Sequence, residues 1–197
     1  YRSTDGGRTW TRVIYVDDET GGQFVTRAYD MPDVVFATTV RYFVPADYPV
    51  DKLRSWQFGQ QTRAPGAPTG TAVYKSTDGG VTWREVSGNG LPRLSGRTSV
   101  AVAMNTGAQR VFLIGDQGLF RSDDGGGTWR RMAADDPRIV SGGYMCGVFV
   151  DPKNPDIVYT LQTSSYKSVD GGKTFTGFKG APGGDDPQVM WSDPTNG

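Results

Sequence analysis

The sequence predicts an all-β fold made of repeated hairpin-bearing units, and three features carry that expectation. A ten-residue pattern occurs four times without gaps, at residues 1–10, 74–83, 120–129 and 166–175. The chain holds 28 Gly and 12 Pro, so turn formers abound, while aromatic strand formers reach 12%. Apolar residues fall in short runs such as 100–104 and 111–114, which suit short strands rather than long helices. A repeat of this length outranks every other local signal, because the repeated unit decides the architecture.

Each copy reads aromatic, basic, Ser, any residue, Asp, Gly, Gly, any residue, Thr, aromatic. Asp5 and Asp78 are 73 residues apart, and Asp124 and Asp170 then follow at intervals of 46. Alternation on both sides of Gly-Gly describes a hairpin, and glycine supplies the positive φ that such a turn requires. The carboxylates of Asp5, Asp78, Asp124 and Asp170 are placed to accept from unpaired turn amides, with Ser3, Ser76, Ser122 and Ser168 adding a hydroxyl. Gly7, Gly80, Gly126 and Gly172 hold the tight backbone, and Thr9, Thr82, Thr128 and Thr174 lead into the next strand. Trp10, Trp83, Trp129 and Phe175 each offer an apolar face to a neighbouring unit. Chemistry rarely needs four copies of itself, so these aspartates are expected to build turns rather than to catalyse.

Composition removes several functions. Lys plus Arg and Asp plus Glu are each 21, for a net charge of zero. That balance argues against nucleic acid or an anionic membrane as partner, because such binding rests on a basic excess. Cys146 is the single cysteine and histidine is absent, which leaves no internal disulfide, no Cys/His metal spacing and no Ser-His or Cys-His nucleophile pair. No apolar run nears the roughly 18 residues of a spanning helix. The chain opens on Tyr1 with no signal-peptide pattern, and is expected to start within a longer protein.

The repeats resemble the Asp box, or BNR repeat, of sialidases, xyloglucanases and sortilin-type propellers. The resemblance extends to a blade tail at 151–159 and the run 179–186, and is strongest toward bacterial secreted proteins of sortilin-like or glycosyl-hydrolase-like BNR type. It implies a β-propeller of four-stranded antiparallel blades, each box being the hairpin between the third and fourth strands on the face away from the ligand site. A secreted or periplasmic location is implied by the same resemblance. The last box departs from the pattern with Phe175 in place of the usual Trp; an aromatic keeps the packing role.

With the boxes placed, alternation and turn residues give the remaining strands. One blade is expected at 23–87, with strands at 24–29, 34–41, 72–76 and 82–86. Its insertion at 42–71 accounts for the long first interval. A second is expected at 97–133, with strands at 99–104, 110–114, 118–122 and 128–132. A third is expected at 142–179, with strands at 144–150, 157–163, 165–169 and 174–178. Residues 1–16 supply the outer half of a blade, and 185–197 the start of another, with a strand at 188–192. Three full blades and two half-blades fall short of comfortable closure, since rings take about four to eight blades. The expectation is therefore an incomplete propeller whose exposed edges favour self-association. Pairing of the two halves into one closing blade is the alternative.

Loops joining successive blades share the face opposite the boxes, where the resembling families bind ligands. Paired carboxylates recur in them at Asp17 and Asp18, Asp135 and Asp136, and Asp185 and Asp186, while loop 88–96 carries Arg93 instead. Such pairs suit sugar hydroxyls or a hard cation such as Ca²⁺, although solvated loops are commonly rich in Asp as well. No other cofactor is implied. The insertion brings Tyr48 and Trp56 together with Tyr42, Phe43 and Phe58, among Gln57, Gln60, Gln61, Arg54 and Arg63. That mixture suits stacking on sugar rings or gripping a peptide, or folding its own aromatics onto the blade.

A glycoside hydrolase needs two carboxylates at a defined separation, and no pair is assignable from the sequence. The only glutamates are Glu19 and Glu85, and Arg138-Ile139-Val140 fails the Arg-Ile-Pro motif of sialidases. A binding scaffold for a protein, peptide or glycan is the expected function. A hydrolase whose remaining catalytic residues lie outside this chain is the alternative.

Overall fold

A computed structural model describes residues 1–17, 20–41, 70–140, 147–179 and 187–193. The described residues hold twelve strands in three four-stranded sheets, and no helix. The first blade contains β1 (Thr20–Arg27), β2 (Val35–Arg41), β3 (Ala72–Ser76) and β4 (Arg84–Val86). The second contains β5 (Ser99–Val102), β6 (Val111–Gly115), β7 (Gly118–Ser122) and β8 (Arg130–Met132). The third contains β9 (Gly147–Val150), β10 (Val158–Leu161), β11 (Ser165–Ser168) and β12 (Thr176–Lys179). Within each sheet the strands follow in chain order, every neighbour antiparallel. Contacts between blades centre on the first strands, β1 with β5 and β5 with β9, so the sheets radiate from a common axis as propeller blades do.

Burial explains the sequence of the second blade. Blades lie against both of its faces, so all five residues of β6, Val-Phe-Leu-Ile-Gly, are buried and the run is apolar throughout. Alternation still sorts them. Val111 and Leu113 join Phe36, Val73, Val86 and Trp129 in the layer between the first and second blades. Phe112 and Ile114 join Leu119, Met132, Val148, Val158 and Phe175 in the layer between the second and third. The outer strands β4 and β8 bury only their last residue.

Several boundaries differ from expectation, each for a physical reason. The fourth strands begin at Arg84, Arg130 and Thr176, two residues later than predicted, because the preceding Thr amide is bonded to the box carboxylate and cannot join the ladder. β1 begins at Thr20 and is bulged between Gly22 and Phe24. Residues 1–16 pair only through the Arg2–Thr11 bridge that closes the first box. The strand predicted at 188–192 is not formed; Val189 and Trp191 are exposed there, and a strand needs a partner to exist. Residues 144–146 of the strand predicted at 144–150, and 42–69 of the insertion with Tyr48 and Trp56, lie outside the described residues.

Candidate functional site

The four boxes fold into one turn. Ser3, Ser76, Ser122 and Ser168 each donate the hydroxyl to the box carboxylate at 2.7–2.8 Å. The same hydroxyls accept from the second glycine's N–H, at 2.7–2.9 Å. The Thr amide donates to the carboxylate at 2.8–3.0 Å and the Thr hydroxyl at 2.5–2.7 Å. The three tryptophans close the turn by donating Nε1–H to the second glycine's carbonyl, a bond that Phe175 cannot make. These donors favour the ionised carboxylate. The Thr9 hydroxyl and amide, helped by Ser3, bring Asp5 from an ordinary 3.8 to about 2. Asp124 falls to about 2 through the Thr128 amide and hydroxyl. At Asp170 burial pushes upward, yet Thr174 and Ser168 still hold it at about 2. Asp78 is driven down by Thr82 and Ser76 in the same way. A carboxylate so fully engaged is a poor general base or nucleophile. The boxes are structural.

They also fasten one blade to the next. The basic residue of each of the first three boxes reaches the first glycine carbonyl of the following box: Arg2 to Gly79 at 3.0 Å, Lys75 to Gly125 at 2.7 Å, and Arg121 to Gly171 at 3.2 Å. The second glycine then seats on an aromatic ring of the preceding blade. A Cβ on Gly126 would lie 3.5 Å from Phe36, and one on Gly172 would lie 3.5 Å from Phe112. Trp129 and Phe175 are thereby covered to 6% and 7% exposure, whereas Trp10, with no blade packed on it, is 61% exposed. The loop after β4 completes the junction: Asn89 accepts from the Trp129 N–H at 2.8 Å and donates to the Gly127 carbonyl at 3.0 Å. Sequence reasoning found the basic position but not its partner, which lies 50 to 77 residues away and is a backbone carbonyl without side-chain signature.

The opposite face holds a polar cluster at the boundary of the first and second blades. The β1 bulge sets Gln23 so that its Oε1 accepts from the Thr98 N–H at 3.0 Å. Thr71 donates to the Gly96 carbonyl at 3.1 Å. In the β6–β7 turn, Gln117 donates to Ser95 at 2.6 Å and Ser95 reaches Asp116 at 3.4 Å. Thr98 and Gln117 flank Gly115, whose Cβ position is 3.0 Å from Thr98 Cγ2 and 3.5 Å from Gln117 Oε1. Gln23 Nε2, Thr98 Oγ1 and Gln117 Oε1 are buried and make no hydrogen bond among the described residues. Few buried polar atoms go unpaired, and bulges commonly re-aim a side chain beside a site. Arg41 and Gly70, the described ends flanking the insertion, enter at this place, with Thr39 donating to the Gly70 carbonyl at 2.9 Å. The predicted site residues did not include this cluster. Gly21-Gly22 before Gln23 was the one signal of a bulge.

The predicted carboxylate pairs occupy separate surroundings. Asp136 is held by Arg138 through two bonds, at 2.8 and 2.7 Å, and that guanidinium lowers its pKa. Asp135 and Asp136 line an open groove of about 620 Å³ together with Lys173 to Phe175, beside the fourth box. Asp17 lies along the outer side of the first blade, where its charge bears on Tyr74 after burial and Glu85. Asp18, Asp185 and Asp186 lie outside the described residues. Among the described residues, no group of three or more Asp, Glu or Cys is arranged to hold a cation.

With the turn and its repeated geometry established, comparison with known proteins is direct. The profile described as BNR/Asp-box repeat matches residues 1–12, 74–85 and 120–131. Three segments of the chain are thus BNR/Asp-box repeats. The matched segments contain the three Trp-closed boxes; the Phe-closed fourth keeps the same Ser, Thr and glycine hydrogen bonds but lacks the one from the Trp indole. No curated protein sequence matches the chain. Among solved structures, a GH74 enzyme of Niastella koreensis is similar with a TM-score of 0.52 and 22% identity, over 80% of this chain and 22% of that one. A GH74 xyloglucanase of Xanthomonas campestris is similar with a TM-score of 0.55 and 19% identity, over 80% and 23%. YCF48 of Cyanidioschyzon merolae is similar with a TM-score of 0.50 and 16% identity, over 84% and 39%. The Asp-box chain thus spans under a quarter of the length of either GH74 structure. The likeness is one of fold.

Proposed function

We propose that this Asp-box chain is a recognition propeller that binds a glycan on the face opposite its boxes, over the boundary between the first and second blades. The observation that carries the proposal is the bulge-held cluster around Gln23, with three buried polar atoms unpartnered among the described residues. Leaving such an atom unpaired costs about 1–3 kcal/mol, so three together mark a place where hydrogen-bonding capacity is kept for use. Gln23 Nε2 donates, Gln117 Oε1 accepts and Thr98 Oγ1 does either, which matches sugar hydroxyls that themselves do both. Gln23 and Gln117 are only half-buried, so their side chains lie within reach of the surface. The insertion that enters here carries Tyr48 and Trp56, aromatics of the kind that stack on sugar rings. A secreted or periplasmic location fits a polysaccharide ligand.

Binding without turnover is the expected behaviour, because the described cluster contains one carboxylate, Asp116, and ordinary glycosidic cleavage needs two. One of the similar folds is a xyloglucanase, so xyloglucan oligosaccharides are the first probes to titrate, with product release followed in parallel. Replacing Gln23 or Gln117 by Ala should weaken binding about tenfold, the equivalent of roughly 1.4 kcal/mol. Affinity that neither substitution changes, or binding confined to peptides, would contradict the glycan assignment. Turnover would make the chain part of a hydrolase.

A further inference from the structure

We infer, on the glycan reading above, that the ligand of this site bears a carboxylate and that Arg131 recognises it. The β6–β7 hairpin ends on a pair of glycines, Gly115 and Gly118, directly opposite each other. Paired residues present the same face, here the one toward the first blade that Leu113 and Phe120 share. Gln117 Oε1 lies 3.5 Å from the Cβ position of Gly115, and Arg131 Nε lies 3.0 Å from that of Gly118. Opposed Cβ positions are about 5 Å apart, so roughly 12 Å at most separates the amide oxygen from the guanidinium. A short oligosaccharide held at Gln23, Thr98 and Gln117 spans that distance. Arg131 is exposed and makes no hydrogen bond or ion pair among the described residues.

Blade building does not call for this arginine. It pairs with Phe120 from the fourth strand, where the first blade has Glu85 opposite Tyr74 and the third has Gly177 opposite Tyr166. Two residues before those aromatics stand Gly118, Ala72 and Ser164, so of the three blades only the second lays a cation over a bare glycine. Charge around the cluster leans the same way. The whole chain is neutral, with 21 basic and 21 acidic residues, yet the loop that supplies Ser95 and Thr98 carries Arg93 and Arg97 and no acid between 88 and 98. The one carboxylate of the cluster, Asp116, is turned into that loop, accepting from Ser95 at 3.4 Å and packing on Gly96. Three arginines against one carboxylate make this boundary basic. A guanidinium fork meets a carboxylate through two parallel charge-assisted bonds, which are stronger than those between neutral hydroxyls and amides.

Titrating the whole chain with uronate oligosaccharides and with their methyl esters separates charge from shape. The panel is oligogalacturonate, oligoguluronate and glucuronoxylan fragments, with xyloglucan oligosaccharides as the neutral reference. At least one free acid should bind about tenfold tighter than its own ester, and added salt should narrow that gap. Arg131→Ala, a surface change that keeps the melting transition, should bring the acid down to the ester's affinity. Arg131→Lys should restore part of the gap, since the charge returns without the fork. Gln117→Ala should instead weaken acid and ester by the same factor. Acid and ester bound equally by the wild type would overturn the carboxylate inference and leave the glycan reading standing. So would a preference for the acid that Arg131→Ala leaves unchanged. Failure of every sugar to bind would overturn the glycan reading, and the carboxylate with it.

Discussion

At the scale of single residues, the box aspartates decide how the molecule responds to acid. Asp5, Asp124 and Asp170 have pKa values near 2 in the folded chain against an ordinary 3.8, and Asp78 is lowered further. A carboxylate depressed by folding stabilises the fold wherever it is ionised. That contribution is complete above the unfolded value and is lost as pH falls through the folded one. Thermal unfolding should therefore be insensitive to pH near neutrality and drop progressively between about pH 4 and pH 2. A transition temperature that holds steady to the bottom of that window would show that the turn bonds do not depend on charge. These carboxylates are solvent-exposed, so the effect comes from four turns acting in parallel rather than from any one buried ion pair.

At the scale of elements, the junction between blades is set by a loop that tolerates no side chain. Gly90 has φ +93°, and a Cβ there would lie 1.9 Å from the Trp129 carbonyl oxygen. Gly90→Ala should displace Asn89 from the Trp129 amide and cost about 2–3 kcal/mol, combining left-handed strain with a steric clash. Gly107→Ala, at φ +59° with open space around it, should cost only about 1 kcal/mol. Equal shifts of the denaturant midpoint in the two variants would mean that the loop does not clamp the box. Much of this level was legible in the sequence. Ala72–Ser76 and Gly118–Ser122 were placed to the residue, because box and turn residues bracket them on both sides. The strand at 188–192 was not, since alternation reports a face that wants burial but not whether a partner strand is present. The Gln23 cluster escaped notice because its members come from β1, from the segment before β5 and from the β6–β7 turn, and only the fold brings them together.

At the scale of the whole molecule, the two faces do different work. Box glycines, ring seats and basic clasps tie the blades together on one side, where the box carboxylates are all engaged by their own turns. The other side receives the insertion and keeps unpaired polar atoms at a blade boundary. Four-fold repetition made the first role readable from the sequence, because a structural motif recurs wherever a blade does. The recognition role proposed for the other side is written once, in residues of no particular motif, and repetition cannot reveal it. The claim that fastening and recognition lie on opposite faces is tested most directly by comparing Asp124→Asn with Gln117→Ala in one glycan titration, each paired with a melting curve. The account predicts that Asp124→Asn lowers the melting temperature with affinity intact, while Gln117→Ala loses affinity at an unchanged melting temperature. The reverse pattern, with binding lost at the box and kept at Gln117, would contradict it.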